Sequence, residues 1–135
     1  MSKVTVVNFQ SLDGVIQSVL SADEDRDGGF EHGGWVLPYT DEIVAEFMGR
    51  HTTSAGALLL GRRTYEAFAS VWPYADQEDP AVAAMNQMPK YVASRTLTEG
   101  SWANTTILGA DVSAEVARLK EKPGVIWWCS VAASC

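Results

Sequence analysis

The sequence predicts a single α/β domain built on a mostly parallel sheet. Short apolar runs of strand length alternate with stretches of helical periodicity from one end to the other. The clearest run, Ala57-Leu58-Leu59-Leu60, feeds directly into Gly61-Arg62-Arg63-Thr64 and then a helix-like stretch from Tyr65 to Ser70. A short apolar run bounded by turn signals reads as a buried strand. The 135 residues, 47% hydrophobic and 20% charged, suit one packed domain rather than a disordered chain. No internal repeat or linker divides residues 1–135.

Taken in order, Val4 to Phe9 is a β-branched run and the first expected strand. It ends in Gln10-Ser11-Leu12-Asp13-Gly14. Ser21 to Gly34 is a polar loop rich in Gly and Asp, of a length that is often functional or mobile. Thr40 or Asp41 can cap a helix whose apolar face is Ile43, Val44, Phe47 and Met48. The strand at 57–60 and its helix follow, ending before Trp72-Pro73. Asp79-Pro80 starts a short helix through Met88, and Tyr91-Val92-Ala93 is a short strand entering Ser94-Arg95-Thr96. Thr105 to Leu108 is another strand. Val112, Val116 and Leu119 mark a helix starting near Asp111, which Pro123-Gly124 stops. Val125 to Val131 reads as a final buried strand.

Composition excludes several classes. A formal net charge of -7 argues against a nucleic-acid or anionic-membrane surface. No apolar run approaches the ~20 residues of a membrane span, and Met1-Ser2-Lys3-Val4 lacks the apolar core of a secretory signal. Cys129 and Cys135 form no disulfide framework and have no histidines at metal-ligand spacing, so no metal is expected. The expected compartment is the reducing cytoplasm. Against this acidic background, Arg62, Arg63, Lys90 and Arg95 concentrate positive charge in two short segments.

Three segments carry the chemistry: Ser11-Leu12-Asp13-Gly14, Gly61-Arg62-Arg63-Thr64-Tyr65, and Lys90-Tyr91-Val92-Ala93-Ser94-Arg95-Thr96. The last two place arginine and hydroxyl groups just past a strand's carboxyl end, where ligands bind in open α/β sheets. A glycine there lets the backbone turn and a ligand come close. The following helix offers unpaired N–H groups to an anion. Arginine suits phosphate because its planar fork makes paired N–H···O bonds. Two such sites along one sheet edge match the separated phosphates of a dinucleotide, including a 2′-phosphate.

In their order and spacing these segments, with Trp72-Pro73 and Pro89-Lys90-Tyr91, resemble the dihydrofolate reductase-like superfamily. The branch is that of the reductase domain of riboflavin-biosynthesis deaminase–reductases and its stand-alone bacterial relatives. The resemblance spans about Val4 to Gly124 and implies a three-layer sandwich around a mostly parallel sheet. It implies NADPH as cofactor, with Gly61, Arg62, Arg63, Thr64, Ser94, Arg95 and Thr96 as contacts. It places Asp13 and Gly14 by the nicotinamide and substrate, and Trp35 in the substrate-pocket wall. The implied reaction is hydride transfer to a polarised C=N or C=O carbon of a small heterocyclic or pyrimidine-like substrate. Asp13 is the candidate proton source or substrate-orienting group. The helix acid of true dihydrofolate reductases has no convincing counterpart in Asp41, Glu42 or Glu46, which argues against folate.

Several residues have a plainer reading. Arg62 and Arg63 also fit a solvated helix start, but the helix dipole disfavours cations there, which favours the anion site. Alone, Ser94-Arg95-Thr96 reads as an ordinary polar turn, and Asp13-Gly14 equally as a common turn pair. Asp41 and Glu42 read as helix-start residues, His32 and His51 as isolated surface or capping groups, and Trp72, Tyr65 and Phe68 as core. Asp23-Glu24-Asp25 with Asp27 lacks calcium-loop spacing and reads as a solvated loop. Two further function classes stay open beside the reductase: a catalytically inactive scaffold that associates, and a nucleotide-binding module without turnover.

The segment 125–135 is atypical, with adjacent Trp127 and Trp128 and a terminal Cys135. The family places a buried strand and a Leu-Gly-Ser-Gly turn here. Read from the third base of the Val125 codon, the codons of Trp127, Trp128 and Cys129 spell Val-Val and then Leu or Phe. With permitted codon choices the segment reads His-Leu-Val-Val-Leu-Gly-Ser-Gly-Glu-Leu. The expectation is a frameshift near 123–125, with the family's C-terminal strands missing; the plainer reading is a divergent natural terminus. Two indoles in the last strand would risk overpacking. An uncovered sheet edge would invite pairing with another chain, so a homo-oligomer is expected.

Overall fold

A computed structural model describes residues 2–123 and the backbone of residues 126–130. Five strands form one sheet: β1 (Lys3–Val6), β2 (Ala57–Gly61), β3 (Lys90–Ala93), β4 (Thr105–Leu108) and β5 (Ile126–Ser130). Their spatial order is β1-β5-β2-β3-β4, and every pairing is parallel. The connections carry α1 (Glu42–Ser54), α2 (Arg62–Ala69), α3 (Pro80–Gln87) and α4 (Val112–Lys120). Right-handed crossovers put α1, α2 and α3 on one face and α4, which returns the chain from β4 to β5, on the other. The α1–α3 packing agrees with that division. The predicted α/β sandwich is therefore the architecture observed.

Local sequence explains most boundaries. Asp41, Asp79 and Asp111 cap α1, α3 and α4, each accepting a backbone N–H in the first turn. Of the two candidate caps before α1, it is Asp41, bonded to the Val44 N–H at 2.9 Å. The β2 run is apolar at successive positions because both faces of a central parallel strand are covered. Leu58 and Leu60 point to one face and are essentially buried, with Leu59 half-buried on the other. They meet Tyr65, Met85, Met88, Val92 and Trp102 in the core.

Four expectations are corrected. The first strand is shorter than Val4 to Phe9, because its pairing with β5 ends at Val6. The helix after Gly61 begins at once with Arg62, not at Tyr65. The sequence hid that turn because its apolar pattern starts only at Tyr65. The apolar face of α1 splits: Val44 and Met48 turn inward while Ile43 and Phe47 stay exposed. The inward stripe continues to buried Thr52, i+8 from Val44, which is the helical period. The last correction is Lys90, counted above with Arg62, Arg63 and Arg95 in the concentrated positive charge. It is fully buried. The expected glycine turn and the tail side chains lie outside the described residues.

Lys90 has no carboxylate partner among the described residues. Its Nζ donates to the Asn86 carbonyl at 2.7 Å and the Ala103 carbonyl at 3.0 Å, and lies 4.2 Å from the Trp102 ring centroid. Asn86 sits in the last turn of α3, where backbone carbonyls favour a cation. The Trp102 Nε1 donates in turn to Asn86 Oδ1 at 2.7 Å. Burial still dominates, and pushes the Lys90 amine down from 10.5 to about 8.

That shift sets a pH dependence. Between about pH 8 and 10.5 the unfolded chain holds a proton on Lys90 that the folded chain has lost, so stability rises with pH in that window. The size is roughly 3 kcal/mol at most. Urea unfolding across the window is expected to show the wild type gaining stability relative to Lys90→Met. Parallel pH profiles would contradict the buried amine.

Candidate functional site

The β2–β3 register decides the site. Leu60 pairs with Val92 and Gly61 with Ala93, so both strands stop at the same level. The turns that follow, Gly61–Thr64 and Ser94–Thr96, therefore leave the sheet from adjacent strands, which lie roughly 4.8 Å apart. The Ser11–Gly14 turn begins five residues after β1 ends at Val6, and β5 lies between β1 and β2.

At the first turn, Gly61 is the N-cap of α2 and supplies no side-chain cap. Its extended backbone (φ -78°, ψ 164°) aims the first-turn N–H groups outward past a residue with no Cβ. Arg62 and Arg63 are exposed in that first turn, and Thr64 is buried at 5%. Arg62 Nη1 pairs with Glu66 one turn along at 3.0 Å. Arg63 Nη1 donates to Asp27 Oδ2 at 2.5 Å, tying α2 to the long polar loop. Both pairs are about half exposed, and solvent screening leaves such pairs little weight in stability. A phosphate can therefore replace either carboxylate at small cost.

At the second turn, Ser94 Oγ accepts the N–H groups of Thr96 (3.2 Å) and Leu97 (3.0 Å). Ser94 thus shapes the turn that presents Arg95 and Thr96, both exposed. Among the described residues Arg95 has no ion-pair partner.

The Asp13 side chain is exposed, and its carboxylate accepts the Ser11 hydroxyl at 2.5 Å. That bond holds its pKa below the ordinary carboxylate range. A carboxyl so held is ionised at neutral pH and is a poor general acid. Of its two candidate roles, this chemistry suits orientation of a substrate. Gly14 takes φ 93°, a left-handed backbone that favours glycine. Trp35 is half-buried, and its Nε1 donates to the Gln17 carbonyl at 3.0 Å.

The loop carrying Trp35 is tied down by contacts the sequence did not reveal. Ser18 is buried; its hydroxyl donates to the Ser21 carbonyl and accepts the Asp25 N–H. Gly33 packs on this hub so closely that a Cβ would lie 2.6 Å from Ala22 Cα. Gln17 Nε2 donates to the Asp27 carbonyl at 2.9 Å, holding the residue that meets Arg63. A shallow cleft of about 270 Å³, lined by Ala22, Arg26, Gly29, Phe30 and Glu31, lies within this loop and includes none of the candidate site residues. His32 is exposed and His51 stacks on Phe47 at 4.3 Å, so neither joins the edge. Tyr65 is buried and Phe68 and Trp72 pack on the core, as expected. No helix among the described residues is long and apolar enough to cross a membrane.

Comparison with known proteins identifies the family and the fold. The family described as RibD C-terminal domain matches residues 2–129, and the chain belongs to that family. No curated protein matches. Chains of solved structures do match. Among them is a protein from Shewanella sp. PV-4, provisionally named for riboflavin biosynthesis, at 21% identity and a TM-score of 0.55. The alignment covers 96% of this chain and 64% of that one, a likeness of fold.

Proposed function

We propose that this RibD C-terminal domain is an NADPH-dependent reductase of the riboflavin-biosynthesis type, acting on a small heterocyclic or pyrimidine-like substrate. The observation that carries the reading is the Gly61–Ala93 register, which sets two arginine-bearing turns side by side at one sheet edge. The residues fit the group. Gly61 and the α2 N-terminus suit the pyrophosphate, with Arg62 and Arg63 as charge partners able to exchange a carboxylate for phosphate. Arg95, free of an ion pair among the described residues, suits the 2′-phosphate, with Thr96 beside it. When bound, NADPH supplies the hydride. Asp13 orients the substrate from the Ser11–Gly14 turn, and Trp35 supplies an apolar wall fixed by its bond to Gln17.

Association with a second copy is part of the proposal. β1 is an edge strand of the described sheet, and Val4 and Val6 on it are exposed. An edge with exposed valines favours pairing between chains.

Two measurements test these proposals. Titration of the protein with NADPH and NADH should show Arg95→Ala weakening NADPH by about tenfold while changing NADH little. Equal losses would remove Arg95 from the 2′-phosphate, and no NADPH binding by the wild type would remove the reductase. Light scattering after size exclusion should give a multiple of 14.6 kDa. A compact monomer would contradict the association.

A further inference from the structure

A connected set of buried polar groups links α2 to the segment that returns from the second turn to β4. Tyr65 directly follows Thr64 of the first turn and is 1% exposed. Its Oη accepts the backbone N–H of Trp102 at 2.9 Å and lies 3.2 Å from Thr105 Oγ1. Thr105 Oγ1 also donates to the Trp102 carbonyl at 2.7 Å. Gly100 packs directly over this junction: a Cβ there would lie 2.9 Å from Tyr65 Oη and 2.4 Å from Thr105 Cγ2. Trp102 and Ala103 belong to the segment returning from the Ser94–Thr96 turn to β4.

Lys90 holds the same segment from the other side. Its Nζ bonds the Ala103 carbonyl beneath the Trp102 ring, and its backbone N–H donates to the Asn104 carbonyl at 2.8 Å. Lys90 also begins β3, whose far end launches the second turn. Lys90 thus ties the return of the Arg95-bearing loop to the start of β3, at the end of the sheet opposite the two turns. Tyr65 fastens that loop to the helix that presents Arg62 and Arg63. None of these buried groups can meet a ligand.

We infer that Tyr65 and Lys90 are positioning residues that hold the Arg95-bearing loop to α2 and β3, so that one ligand can engage both turns. The inference rests on the phosphate reading of those turns given above. Its consequence is selective. A ligand that spans both turns gains from their fixed separation, because the cost of arranging them is met in folding. A ligand that meets one turn gains nothing from it.

The test compares NADPH with adenosine 2′-monophosphate, which carries only the 2′-phosphate end, by calorimetric titration. Tyr65→Phe keeps the ring and removes the acceptor of the Trp102 N–H. It should weaken NADPH about tenfold and change the monophosphate by less than about twofold. Lys90→Met should show the same split. If either variant fails to fold by circular dichroism, the other and Thr105→Val carry the comparison. Equal losses for the two ligands, or no loss for either, would overturn the coupling while leaving the phosphate reading in place. A wild type that binds neither ligand would overturn the phosphate reading and, with it, the coupling.

Discussion

The parallel pairing of β2 with β3 is the constraint from which the rest of this structure follows. It buries Leu58, Leu60 and Val92 on one face, where they meet Tyr65, Met85, Met88 and Trp102. It also ends both strands at one level, Gly61 opposite Ala93. A parallel sheet requires the chain to leave each strand at the same edge, so helix starts and polar turns gather there. The acidic chain brings Arg62, Arg63 and Arg95 to turns at that edge. Core and candidate site are two outcomes of a single register. A slip of one residue would turn the Leu58–Leu60 face away from α2 and offset the turns.

Much of this was legible in the sequence because the relevant signals are local. β2 announces itself as an unbroken apolar run, since a central parallel strand has no wet face. Asp41, Asp79 and Asp111 mark helix starts because a carboxylate before the first turn satisfies free N–H groups. The pairing of Arg62 with Glu66 follows from helical spacing. The family likeness likewise rested on contiguous segments around Asp13, Gly61 and Ser94, and residues 2–129 match that family.

The remainder depends on contacts between distant residues. Lys90 was grouped with the arginines because nothing in its neighbours predicts that Trp102 and the Asn86 and Ala103 carbonyls close around it. Gly33 gave no sign that it docks on Ser21 and Ala22. Arg63 meets Asp27 across 36 positions, a separation no periodicity encodes. Ile43 and Phe47 fit an apolar helix face by spacing, yet the sheet and α3 claim only the stripe through Val44, Met48 and Thr52. Propensity proposes an amphipathic face, and tertiary contacts decide how much of it is used.

The central claim is that the turns after β2 and β3 grip one dinucleotide together. Backbone amide shifts followed by NMR during NADPH titration test it most directly. The account predicts that the signals of Arg62 to Thr64 and of Ser94 to Thr96 move together and saturate on one binding curve. Movement confined to one turn, or to residues away from this sheet edge, would contradict it.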